Sequence, residues 1–391
     1  MTKSTAALLL LVLSGCAAKS THVEKPSFND ALFQPQSELI RRSDVFALSD
    51  DMLHYVQSDI APELQAKGKL KGLFDALYQR GDLSLDYDST VTRNAAQAFA
   101  AKSGNCLSLV ILTAAFARHL DLGVHYQRVF LDEAWTRSNG LDFLDEHVNV
   151  MLGGMRHAGG RLPDPQAQGL VIDFVPASEL AGRRTRVITE ATLVSMYMNN
   201  RAAELLSQRQ LDRAYWWARA AVTEQSAYLP AFNTLGVIYK QHGNLAEALS
   251  IFERILAVEP ENQIALSNEV LVLRSMGRDD EASRVEARLR RLRPVPPFHF
   301  FDLGVAAMKR NDFAEGKRMF MRSIQRDAYY DRSHFWLALA HYHLGELDEA
   351  RKQLEIARET STTPDDRELY TDTLARLSSS AGLIFPQFME K

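Results

Sequence analysis

The chain has 391 residues, with 45 basic and 49 acidic side chains, a formal charge of −4 and two cysteines. Such a balance provides no positive field to gather phosphate backbones, so nucleic acid is not an expected partner. The length allows two domains or more, and two cysteines cannot staple a disulfide scaffold.

At the N-terminus Lys3 precedes an apolar run, Ala6–Leu13, too short to span a bilayer but of signal-peptide length. The run closes on Leu13-Ser14-Gly15-Cys16. This resembles the lipobox of bacterial lipoproteins. The resemblance implies that residues 1–15 are a signal peptide and that Cys16 becomes the acylated first residue, a membrane anchor of more than one chain. Ala17, where an Asp would favour retention at the inner membrane, is similar to lipoproteins sorted to the outer membrane, facing the periplasm. Residues 16–47, polar with few apolar side chains, read as a flexible tether.

Ser49 is a predicted N-cap for a helix over Asp50–Ile60, and Pro62 opens a helix running to Tyr78. A third helix covers Thr92–Ala101. The fourth starts at Cys106 and runs to Leu120, with apolar residues at helical spacing. Strands are predicted over Val124–Leu131, His147–Leu152 and Leu170–Val175, with a polar loop around Trp135–Gly140. Helices followed by an antiparallel meander describe an α+β domain over 48–190.

Three residues in this region suggest chemistry. Cys106 begins an apolar helix, where free N–H groups favour a thiolate, and Gly104 leaves room for a substrate backbone. His147 starts one strand. Asp173 sits between Ile172 and Phe174 in the next, where a buried carboxylate needs a partner. Neighbouring strands could present His147 and Asp173 above Cys106 as base and orienting acid. Alone, Cys106 beside Leu107 and Leu109 would read as a small core residue. His119 and His125 read as surface or structural residues, and Asp145 and Glu146 as an exposed strand start. No Cys or His cluster has zinc spacing and no glycine-rich loop opens a helix, so neither metal nor cofactor is expected.

The stretch from Phe99 to Leu122, containing Ser103-Gly104-Asn105-Cys106-Leu107-Ser108-Leu109, resembles the transglutaminase-like superfamily. Its members carry Gly-x-Cys at a helix start, then His-Val or His-Ala on one strand and Asp on the next. The resemblance covers roughly residues 85–180 and implies a papain-like fold with Cys106, His147 and Asp173 as the catalytic triad. Tyr87 resembles an upstream position that donates to the oxyanion. Val148-Asn149 stands where the family often has Ala-Trp, and Phe174 where it often has Pro. The superfamily includes transglutaminases, deamidases, peptidases and inactive relatives.

Beyond residue 195 a 34-residue period takes over: Arg209, Gly243, Gly277, Asn311 and Gly345 repeat without a slip. Each is placed at the turn between two helices. The unit from Leu229, with Phe232, Leu235, Gly236, Tyr239, Ala248, Phe252 and Pro260, resembles the tetratricopeptide repeat. Five units fit, at 195–228, 229–262, 263–296, 297–330 and 331–364, followed by a capping helix and tail over 365–391. The expected architecture is thus a papain/transglutaminase-like α+β domain followed by an all-α solenoid. Inward-facing offsets nominate Lys240, Arg274, Phe301, Met308, Phe335 and Tyr342 as a peptide groove, although part of that surface could instead pack on the α+β domain.

These readings converge on a membrane-anchored cysteine acyl-transfer enzyme acting on a protein or peptide selected by the repeats. The alternative is a non-catalytic envelope adaptor with a vestigial triad. A third possibility pairs Cys106 with another protein's thiol.

Overall fold

A computed structural model of the chain describes residues 26–79, 85–130, 135–138, 141–144, 146–153, 169–174 and 183–378. The expected signal peptide, Cys16 and the tail beyond 378 lie outside these residues, as does Asp145. Among the described residues no helix is long and apolar enough to cross a membrane.

The N-terminal unit opens with helices α1 (Asp50–His54), α2 (Ala61–Lys67) and α3 (Lys69–Tyr78). Ser49 caps α1 as expected, its hydroxyl accepting from the Met52 N–H. The single helix predicted from Pro62 to Tyr78 is two, because Gly68 takes φ +80° between them. Helix α4 (Ala95–Ala101) starts in a capping box formed by Asn94 and Gln97. Helix α5 (Cys106–His119) is buried over nearly its whole length, as its apolar sequence requires.

The short strands β1 (Asp86–Tyr87) and β2 (Ser103–Gly104) pair in parallel just ahead of α5. Strands β3 (Val124–Val129), β6 (His147–Leu152), β7 (Leu170–Ile172) and β8 (Thr185–Ile188) form one antiparallel sheet in the order β7-β6-β3-β8. Val148, Val150 and Leu152 point into the core, with Val150 opposite Ile172. Two elements were not expected. The region read as a polar loop holds the hairpin β4 (Trp135–Ser138) and β5 (Leu141–Leu144), and β8 adds a strand beyond the three predicted ones.

The repeats begin at Glu190. Ten helices follow in pairs: α6 (Glu190–Ser207) with α7 (Leu211–Glu224), α8 (Leu229–His242) with α9 (Leu245–Val258), α10 (Gln263–Ser275) with α11 (Asp279–Leu292), α12 (His299–Lys309) with α13 (Phe313–Arg326), and α14 (Asp331–His343) with α15 (Leu347–Thr360). A last helix, α16 (Pro364–Ser378), caps the array and buries Tyr370. All five residues of the 34-residue period occupy the intrapair turn with positive φ: Arg209 +60°, Gly243 +91°, Gly277 +72°, Asn311 +59° and Gly345 +80°. Close helix approach explains the small residues: a Cβ on Gly236 would lie 2.7 Å from the Phe252 ring, and one on Gly304 2.5 Å from Phe320.

The stretch read as a flexible tether is structured wherever it is described. Residues 26–47 lie along the first repeats, with Phe33 stacked on Tyr215 at 3.8 Å between ring centroids and Val45 1% exposed. Polar contacts continue the seam. The Tyr215 hydroxyl donates to Asp30 (2.5 Å), the Trp217 indole to Glu38 (2.9 Å), and Arg42 pairs with Glu190 (2.8 Å) and Glu224 (2.6 Å). The apolar side chains that looked too sparse for a core, Phe28, Phe33 and Val45, need only one face, and the array supplies it. One hydrophobic core runs without a break from Phe33 through the sheet and into Ala282 of the third repeat. A second core, around Phe320 and Tyr370, serves the last repeats.

Candidate active site

The site forms where the N-terminus of α5 meets the first residue of β6. Asn105 caps α5: its Oδ1 accepts from the Ser108 N–H (2.9 Å) and hydroxyl (2.8 Å). Its amide nitrogen donates to Thr92 Oγ1 at 2.8 Å, and the Thr92 N–H donates to Glu204 Oε1 at 2.6 Å. Glu204 belongs to α6, so the first repeat helix supports the loop that caps the cysteine helix. Burial holds the Glu204 carboxyl above its usual range, against the pull of Arg201 and of the Thr92 N–H.

The register of the sheet assembles the acid and the base. Val150 lies opposite Ile172, which sets Asn149 beside Asp173 and puts His147 on the same face. His147 Nε2 and Asp173 Oδ1 are 2.6 Å apart, and Asn149 Nδ2 donates to Asp173 Oδ2 at 2.8 Å. The Phe174 N–H donates to Asp173 Oδ1 at 2.7 Å. Asp173 is thereby fixed as an acceptor, the condition under which a buried carboxylate persists.

With Nε2 committed to Asp173, Nδ1 is the ring nitrogen left for a second partner. Burial of the ring opposes its charged form. The hydrogen bond to Asp173 and then that to Cys106 outweigh burial and push the His147 pKa up to about 10. Cys106 is 9% exposed and unpaired with any cysteine. Its thiol also lies 4.0 Å from the backbone carbonyl of Glu146.

The three residues nominated for a triad therefore come together. Tyr87 is placed beside them, paired with Gly104 two residues ahead of Cys106. Packing gives Gly104 a role of its own: a Cβ there would lie 2.6 Å from Ser108 Cβ, in the cap of α5. His119 is exposed, as expected. Glu146, read as an exposed strand start, has a side chain only 9% exposed, held by Arg128 and by Tyr228 of the array. Nothing local marked Glu146, because both partners are distant in sequence.

The groove residues divide. Phe301, Met308 and Phe335 are buried in the array core rather than lining an open surface. Aromatic residues at inward offsets fill the space between helix pairs when their neighbours are small, as Gly304 and Ala338 are here. Arg274 is exposed and pairs with Glu286 at 2.9 Å. Lys240 and Tyr342 are half-buried, and burial pulls the Lys240 pKa down.

The α+β unit meets the array along the edge where one repeat passes to the next. Tyr228 reaches Glu146, the β4–β5 hairpin meets the start of α12, and the Ser89 N–H donates to the Thr362 carbonyl at 3.0 Å.

Comparison with known proteins agrees with the repeat register. The family model described as Tetratricopeptide repeat matches residues 233–295 and 301–364. The C-terminal half of the chain is therefore a tetratricopeptide-repeat array. No curated protein matches. Among solved structures, the chain is similar to YrrB, described as a TPR protein with an unusual peptide-binding site, at 18% identity over 46% of this chain and 92% of that one, with a TM-score of 0.25. It is also similar to MamA from Desulfovibrio magneticus RS-1, at 14% identity over 42% of this chain and 94% of that one, TM-score 0.25. A tetratricopeptide repeat protein from Parabacteroides merdae is similar at 15% identity over 48% of this chain and 73% of that one, TM-score 0.26.

Proposed function

We propose that this protein binds a polypeptide through its repeat array and acts on it by thiol acyl transfer at Cys106. The observation that carries the proposal is the 2.6 Å pairing of His147 with Asp173 beside Cys106, whose thiol lies at a capped helix N-terminus and 4.0 Å from the carbonyl of the residue preceding His147. A nucleophile, a base and a group that fixes the base's tautomer are what such chemistry needs. In this mechanism Cys106 passes its proton to His147 and its sulfur attacks an amide carbonyl. His147 returns the proton to the leaving amine, and a thioester remains. Water then releases an acid, giving proteolysis or deamidation, or an amine takes the acyl group, giving a crosslink. We further propose a papain/transglutaminase-like ancestry for residues 48–190, and attachment to the outer membrane, facing the periplasm, through acylated Cys16.

A non-catalytic adaptor is the second reading. The matched repeats support protein binding by themselves, and the 9% exposure of Cys106 favours this alternative. Alkylation of the folded protein by iodoacetamide as a function of pH separates the two. The enzyme requires a thiol that reacts well below the free-cysteine value of ~8.5 and loses that reactivity in His147→Ala. A thiol that reacts only on unfolding leaves the adaptor. Comparing the proteomes of wild type and Cys106→Ala cells then identifies the reaction. New N-termini mark proteolysis, Gln→Glu conversions deamidation, and isopeptide bonds crosslinking.

A further inference from the structure

We propose that Glu146 is a positioning residue for the Cys106–His147 pair and that Tyr228 of the repeat array sets it, so that the array completes the thiol site. This rests on the acyl-transfer reading above. Glu146 has a side chain only 9% exposed, and both of its oxygens are engaged. The Tyr228 hydroxyl donates to Oε2, and Arg128 pairs with Oε1 at 2.6 Å. A largely covered carboxylate held by a cation and a hydroxyl cannot swing without leaving a charge unpaired.

The backbone of this fixed residue is what matters to the site. Its carbonyl oxygen lies 4.0 Å from Cys106 Sγ, and the next residue along is His147. One short piece of chain therefore carries a contact to the thiol and the base that serves it. Arg128 meets the Glu146 charge, which leaves Asp173 as the carboxylate facing the imidazole. Glu146 acts by holding position.

Tyr228 is suited to the task. It is buried at the N-cap of α8, and burial first, then the Glu146 charge, keeps its hydroxyl a neutral donor at any physiological pH. The array grips the same segment a second time. Arg137 of the hairpin contacts both oxygens of Asp302 in α12 at 2.6 and 3.3 Å, with its guanidinium 4.5 Å from the Phe298 ring centre. Glu146 is thus held by Tyr228 at the start of α8, and Arg137 by α12 of the fourth repeat.

The test uses the full chain with Cys16→Ser, so that Cys106 is its single thiol. Two quantities are read: the titration of His147 by NMR on histidine-labelled protein, and alkylation of Cys106 at pH 7. Tyr228→Phe is expected to lower the His147 midpoint and slow alkylation about tenfold, the size of one hydrogen bond to a charged group. Glu146→Gln, which keeps an acceptor for Tyr228 but loses the pairing with Arg128, is expected to fall between wild type and Tyr228→Phe. Tyr215→Phe removes an array hydroxyl bonded to Asp30, away from the site, and is expected to change neither quantity.

The proposal is overturned if Tyr228→Phe matches wild type in both quantities, or if Tyr215→Phe shifts them equally. Should Tyr228→Phe melt the array, Glu146→Gln decides by the same two measurements. Failure of the catalytic reading looks different. It appears as His147→Ala leaving wild-type alkylation unchanged, and the positioning of His147 is then judged from its titration alone.

Discussion

The repeat array and the α+β unit were built by different means from one chain. In the array every decisive contact is between neighbours. Gly236 faces Phe252 within one helix pair, and each intrapair turn recurs with positive φ at a fixed interval. In the α+β unit the decisive contacts are distant. Asp173 reaches back to His147, Glu204 to Thr92, and Tyr228 to Glu146 across 82 positions. A local design can be read from periodicity and damaged locally. A non-local one concentrates its consequences at one site.

The largest break in this comparison should come from Phe335. Read from the sequence it lined a groove, yet it is 7% exposed in the core of the last repeats. Phe335→Ala is expected to cost about 3–5 kcal/mol of unfolding free energy in urea titrations. A groove residue would show only a loss of partner binding, with the urea midpoint unmoved.

Asp173→Asn should act on the site and spare the array. The midpoint of His147, about 10 in the folded protein, is expected to fall toward the ordinary value of 6.5, and alkylation of Cys106 at neutral pH to slow. Because the folded value is the raised one, the stability that His147 contributes is fully present below about pH 6.5 and is lost as pH rises through about 10. The Asp173→Asn penalty in denaturant should therefore be greatest near pH 6 and fade above pH 10. A penalty independent of pH would mean that the pair is held by packing alone.

A smaller effect should follow from Asn105→Ala, which removes the cap of α5 and its tie to Thr92. About 1 kcal/mol is expected from the lost cap, with a measurable drop in Cys106 alkylation because the cap fixes the first turn. Equal stability loss without any change in alkylation would uncouple the cap from the site.

The smallest prediction returns to the array. Asn311 takes φ +59° at a turn where three of the other four repeats have glycine. Asn311→Gly should stabilise by at most about 1 kcal/mol, since glycine removes the left-handed strain while loosening the unfolded chain. A loss of stability would show that the Asn311 side chain holds the turn by a contact of its own.

Much of the molecule was legible in the residues themselves. The interval from Arg209 to Gly345, the helix opening at Cys106, the strand bearing His147 and the strand that ends at Ile172, just before Asp173, all follow from local pattern, because turns, caps and amphipathic faces are encoded by neighbours. The residues of 26–47 were read as a tether because isolated apolar side chains have no visible partner in a linear chain. Phe33 finds Tyr215 only once the first repeat is in place. The β4–β5 hairpin was missed for the same reason, since its Arg137 finds Asp302 and Phe298 only when the array is in place.

The sequence by itself determined which residues could do chemistry and how the array repeats, since both depend on side-chain type and short spacing. Only the tertiary structure decided that Phe301, Met308 and Phe335 are core, that the Glu146 side chain is covered, and that the array supports the site through Glu204 and Tyr228. Burial and pairing belong to surfaces that meet in space. A chain of 391 residues does not announce in its order which of its surfaces those will be.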